Sequence, residues 1–233
     1  SSTWGLQVER GGTFVGGSGT HTFGSFKLGA AHADVKCTLT SGVTTIDDEK
    51  TGDNYSLYLQ DSTFDDANGT VTITHNGDAR FQLGGEPLHN VIINHADCSM
   101  QMSSDAVING DLTITAGELK GSYGGTHYDL TVGSLTIADG ATYNATSGTT
   151  TITSENSGTG MAWNNVETDG TAFVHNKGLV KFTTNAHTVV EESTFYDLTV
   201  HMGADTWDFE IRDSDGDNTV TILGDLTIAR GEF

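Results

Sequence analysis

Four times along the chain a ring side chain stands five residues before a glycine, and a large apolar residue follows that glycine by four. The copies are Phe14–Gly19–Phe23, Phe64–Gly69–Ile73, Tyr143–Gly148–Ile152 and Phe173–Gly178–Phe182. A spacing that repeats without drift describes a structural unit used again and again, and such units stack into elongated arrays. The sequence therefore speaks first about architecture and only indirectly about role.

A second motif alternates with the first: an acidic or small residue, then Leu-Thr-Val or Leu-Thr-Ile. It stands at Asp111–Ile114, Asp129–Val132, Ser134–Ile137, Asp197–Val200 and Asp225–Ile228. Apolar residues two apart with threonine between them describe a strand with one face buried and one wet. The order of motifs also repeats on a longer scale. Phe64 and Phe173 are 109 residues apart, as are Gly69 and Gly178, and Leu112 and Leu226 are 114 apart. One continuous array over 1–233 is expected, with sub-units near 1–54, 55–119, 120–163 and 164–233. Motifs open close to both ends of the sequence. It is therefore expected to be a segment of a longer protein or assembly, or to have its ends covered by other chains.

Composition narrows the class. Thirty glycines, one proline and an apolar fraction of 35% suit short strands, tight turns and a thin core. Ten basic residues against 31 acidic ones give a formal charge of −21, which would repel a phosphate backbone, so nucleic acid is excluded as a partner. The acidity suits solubility in salty surroundings and strand edges that must not aggregate. No apolar run is long enough for a membrane-spanning helix. Two cysteines, Cys37 and Cys98, are too few for a disulfide scaffold and read as small buried residues.

Two all-β architectures fit these patterns. In a parallel β-solenoid like residues stack from coil to coil; in an antiparallel sandwich or meander, neighbouring strands join by hairpins. Asn68-Gly69, Asn76-Gly77, Asn109-Gly110, Asp139-Gly140 and Asp169-Gly170 suit hairpin turns, and they suit solenoid corners equally. The fixed order of ring, glycine and aliphatic residue favours the solenoid, with ten or so coils of ~20–25 residues and strands ~4.8 Å apart. The number of sides per coil stays open.

The runs Gly12–Phe23, Phe195–Val200, Gly110–Ile114 and Gly224–Ile228 resemble β-solenoid repeats of tailed-phage virion proteins, notably fibres and appendages, and of large bacterial surface proteins and adhesins. The resemblance spans nearly the whole chain and implies a structural, adhesive role in a virion or at a cell surface. It implies as partners other copies of the chain, other virion or surface proteins, and a host-surface glycan or receptor. It carries no catalytic residues with it. A bacterial adhesin or extracellular filament subunit is the alternative.

Asp213, Asp215 and Asp217 alternate around Gly216 and could converge oxygen ligands on Ca²⁺. A solvated turn explains them as well, and the glutamate of an EF-hand is replaced by Ile222. His32, His95 and His201 occupy comparable places after strands but lack zinc spacing and read as surface or turn residues. A glycan-cleaving enzyme would need paired carboxylates across a groove. The clusters Asp47-Asp48-Glu49, Asp65-Asp66 and Glu191-Glu192 have no basic partners in sequence and read as exposed turns, so no catalysis is expected. Trp163 and Trp207 could stack on sugars, but their place in the alternation favours packing.

Overall fold

The computed structural model describes residues 4–29, 34–60, 63–166, 172–185, 188–191, 193–204, 207–212 and 219–230. Among the described residues there is no helix; the chain is 58% strand and winds as a parallel β-solenoid of about 8 turns. The parallel reading holds and the sandwich does not, because inter-strand pairing joins each coil to the next. The turn count is lower than the ten or so expected, because several coils are longer than the motif spacing. On one side the pairing steps from Ile73 to Ile93, an advance of 20 residues, and from Ile137 to Asn165, an advance of 28.

Each coil has three sides. Face 1 is the ladder Leu6–Val8, Phe26–Leu28, Tyr55–Leu59, Gly77–Gln82, residues 98–102, residues 118–120, Ala141–Asn144 and Phe173–Val174. Face 3 runs from His21–Phe23 through Val43–Ile46, Thr70–Ile73, 90–93, 112–114, 135–137, Trp163–Asn165 and Thr188–Val190 to Phe209–Ile211. Face 2 lies between them in two runs. One is Thr13–Val15, Lys36–Thr38 and Thr63–Asp65; the other joins 106–108, 130–132, Thr149–Ile152, Leu179–Phe182, Asp197–His201 and Leu226–Arg230. The long strand Ala106–Lys120 bends around two corners and serves all three faces.

Alternation puts one side chain in two into the lumen, where like stacks on like. Ile46, Ile73, Ile93, Ile114 and Ile137 form one column, each at most 3% exposed. Val71, Val91, Leu112, Leu135 and Trp163 form the next. Burying each such side chain is worth roughly 1.5–3 kcal/mol, which gives a narrow core its strength. Toward the C-terminal coils the aliphatic columns give way to rings: Trp163 meets Phe173 at 4.8 Å and Phe195 at 5.2 Å, and Phe182 meets Phe209 at 5.1 Å. Cys37 and Cys98 are free and buried.

The ring–glycine–aliphatic motif is a corner, not a coil. Around Phe14 and Phe64 the ring lies on face 2 and the aliphatic strand on face 3; around Tyr143 and Phe173 the ring lies on face 1 and the aliphatic strand on face 2. The turn takes one form in two of the four copies. Ala67 and Asn68 precede Gly69, Asn176 and Lys177 precede Gly178, and all four have positive φ. The amide N–H groups of Asn68 and Lys177 donate back to Asp66 Oδ1 and His175 Nδ1 at 2.9 and 3.0 Å. A Cβ on Gly69 or Gly178 would stand 2.0 or 2.2 Å from the carbonyl oxygen of Thr40 or Thr146 in the coil before it.

The residue before Leu-Thr-Val also has a structural task. Asp129 Oδ1 accepts the Thr149 N–H at 2.8 Å, Asp197 Oδ1 accepts that of Asp225 at 2.8 Å, and Asn90 Oδ1 accepts that of Asp111 at 2.9 Å. In each case a Cβ on the glycine just before the donor (Gly148, Gly224, Gly110) would lie 2.3 Å from that oxygen. Gly110 therefore serves this close approach and has no positive φ. Gly77 and Gly140, with φ of +118° and +74°, meet the backbone demand expected of a corner. Asp169-Gly170 lies outside the described residues. Among the described residues the antiparallel strand pair is Ser122–Tyr123 with Thr126–His127, turning at Gly124-Gly125, and a single antiparallel bridge joins Lys50 and Tyr55.

Candidate functional site

The outward rows of faces 2 and 3 are mostly threonine: Thr45, Thr72, Thr113 and Thr136 on face 3, interrupted by Ile92 and followed by Asn164, and Thr131, Thr151 and Thr199 on face 2, interrupted by Lys181. Face 1 differs. Its outward row reads Gln7, Lys27, Tyr58 and Gln82, and beside it Tyr55, Arg80, Gln101, Lys120 and Asn144. Long amide, cationic and aromatic side chains replace the hydroxyls.

A bulge creates this surface. In Tyr55–Leu59 both Ser56 and Leu57 are buried, breaking the alternation, and the register with Gly77–Gln82 shifts at the same point. Tyr55 and Tyr58 would otherwise point to opposite sides; the extra residue turns both outward, with ring centroids 5.0 Å apart. Trp4 adds a third ring 6.1 Å from Tyr58. The Gly124-Gly125 hairpin adds a fourth, Tyr123, the most exposed at 39%. Arg80 lies between two of them, its guanidinium 4.1 Å from the Tyr55 ring and 4.3 Å from that of Tyr123, and it donates to the carbonyl oxygen of Asp53. The Tyr55 hydroxyl donates to Gln82 Oε1 at 3.3 Å and that of Tyr58 to Gln60 Oε1 at 2.8 Å.

The lysines of this face are paired locally, while Asp78, on the Arg80 strand, is an exposed carboxylate opposite Ser99. Lys27 pairs with Glu9 at 2.6 Å and lies 5.9 Å from the Trp4 ring centroid; Lys120 pairs with Glu118 at 3.1 Å and donates to Ser99 Oγ at 2.8 Å. The hydrogen bond from Lys27 holds the Glu9 carboxyl below its ordinary range. The arrangement offers rings, amides and neutralised ion pairs.

Asp213, Asp215 and Asp217 lie outside the described residues, as do His32 and Glu192. Among the described residues no group of three or more His, Cys, Asp and Glu side chains is gathered as a metal would require. His95 follows a face 3 strand and His201 ends a face 2 strand, so these two do not stack. Asp47 and Asp48 are exposed, and Asp65 and Asp66 cap the corner at Ala67-Asn68. Glu191 corrects the exposed-turn reading: it is 8% exposed, and its N–H donates to the Trp163 carbonyl. The ladder is the cause: Val190 pairs with Trp163, and the Glu191 N–H continues that pairing onto the neighbouring coil.

Trp163 is fully buried, with its indole N–H donating to Ser193 Oγ at 2.8 Å, and Trp207 packs partly buried against the core, so both are packing residues. The rings that face water, Trp4, Tyr55, Tyr58 and Tyr123, carry no repeated spacing, and only the bulge and hairpin bring them together. Among the described residues no helix is long and apolar enough to cross a membrane. No family model, curated protein or solved structure matches the chain.

Proposed function

We propose that this chain is a structural and adhesive β-repeat module of a tailed-phage virion: a fibre, an appendage or another virion component. The observation that carries the reading is the face 3 ladder, which ties each coil to the next by parallel strand pairing and stacks isoleucines through five of them. Its nine strands, eight steps at ~4.8 Å, make a stiff prism about 38 Å long. Such a body holds a shape and displays rows of side chains at fixed separations, with no turnover required. Other copies of the chain and other virion proteins are its structural partners, and calcium at Asp213, Asp215 and Asp217 belongs to the same reading as an accessory ion.

A bacterial cell-surface adhesin or extracellular filament subunit is the second reading, favoured by the aromatic display on face 1. Gold-labelled antibodies raised against the chain distinguish the two. Label on particle appendages supports the virion, and label on the outer surface of cells alone supports the adhesin. Label confined to the cytoplasm of uninfected cells overturns both.

A further inference from the structure

We propose that the outward side of face 1 around Trp4, Tyr55, Tyr58 and Tyr123 is a binding surface for a neutral oligosaccharide. The proposal rests on the adhesive reading above and gives it a site and a ligand class.

The first argument is where the rings are. Most large aromatic side chains of this fold serve the core: Phe26, Tyr143, Trp163, Phe182 and Phe195 are fully buried, and Phe14, Phe23, Phe64, Tyr128 and Trp207 pack half-buried against it, while Tyr196 stands outside it stacked on His175. A solenoid face facing water is adequately served by threonine, as faces 2 and 3 demonstrate. Four rings gathered on one outward face, two of them turned out by a bulge and one carried on a hairpin outside the ladders, are not needed to fill the core. Aromatic side chains with one polar end suit surfaces that are wet when free and covered when occupied.

The second argument is what surrounds them. A sugar presents a C–H face that stacks on an indole or phenol, and an edge of hydroxyls that donate and accept together. Gln60 and Gln82 meet that edge: each accepts from a tyrosine hydroxyl through Oε1, leaving its amide N–H groups for a ligand oxygen. Gln101 extends the amide row one coil further, opposite Arg80. Successive coils at ~4.8 Å present these groups at a period comparable to one hexose unit.

The third argument is charge, and it selects the glycan. Lys27 and Lys120 already hold Glu9 and Glu118, and Arg80 is spent on two rings and a carbonyl. The whole chain carries −21, so a polyanionic glycan would be repelled as it approached. A neutral chain of hexoses meets neither obstacle.

The test is an array of gluco-, galacto-, manno- and chito-oligosaccharides beside sulfated and uronic-acid glycans, probed with the full 233-residue chain and followed by calorimetry on the best neutral binder. Trp4→Ala, Tyr58→Ala and Tyr123→Ala are expected to weaken binding about tenfold or more, while Tyr196→Ala, on a ring stacked on His175 beyond the Phe173–Val174 strand and several ladder steps from Tyr55–Leu59, leaves it unchanged. Tyr123 lies on a hairpin outside the ladders, so its variant stays informative if Trp4→Ala or Tyr58→Ala fails to fold. No binding to the neutral panel, binding confined to acidic glycans, or binding unaltered by Tyr123→Ala and Tyr58→Ala in folded protein overturns the proposal. Label on virion appendages with no sugar binding sinks this site alone. Sugar binding by a chain confined to the cytoplasm sinks the virion and adhesin readings and leaves this site standing.

Discussion

The stability of single positions here is set by the coil next door, more than by chain neighbours. Gly178→Ala would drive a methyl to 2.2 Å from the Thr146 carbonyl oxygen, whereas at Gly19 the same methyl meets nothing within 4 Å and φ is not positive. We expect the first to cost about 1–3 kcal/mol in urea denaturation and the second to be neutral within ~0.5 kcal/mol. Asp129→Ala removes the acceptor for the Thr149 N–H and should cost about 1–2 kcal/mol. Burial pushes the Cys37 thiol up to about 12 from a reference near 9, with Asp65 adding to the effect. Its folded pKa lies above its unfolded one, so its contribution is whole below pH 9 and is lost as pH rises toward 12. Denaturation midpoints should fall across that window, and less steeply for Cys37→Ala. The sequence displayed Asp129 and Gly148 as recurrent residues, yet their partnership spans a coil, and no local pattern states which carbonyl or carboxylate will sit beneath a given glycine.

At the level of strands, periodicity was a reliable guide. Apolar alternation in Asp111–Ile114, Asp129–Val132 and Asp197–Val200 located inward columns correctly, because burial of one face is what a strand of a thin solenoid requires. Leu112→Asp places a carboxylate in a column 1% exposed and should cost several kcal/mol, while Val107→Asp, on the outward side of the same long strand, should leave the urea midpoint nearly unchanged. Equal effects would refute the assigned facing of Ala106–Lys120. What periodicity could not show was a departure from itself. The bulge at Ser56-Leu57 and the hairpin at Gly124-Gly125 are single events, and they assemble the candidate site. The two tryptophans noted from sequence proved internal because their places in the alternation were ordinary, whereas Trp4 and the outward tyrosines stood in no motif.

For the molecule as a whole, charge and shape dominate. A net −21 spread over a narrow prism repels itself, so screening should stabilise it: the melting temperature is expected to rise by several degrees between low salt and about 0.3 M NaCl. A temperature independent of salt would mean that carboxylates are matched in place. The three-sided winding was undecided by the sequence, since coils advancing 20 to 28 residues on face 3 fit two sides or three. The corner motif, meanwhile, sits at either of two vertices of the triangle. A chain built this way can gain or lose one side's worth of sequence, keep its lumen filled, and have everything downstream turned by a third of a revolution. The direction in which a display points around the axis is thus adjustable by inheritance independently of the core that supports it.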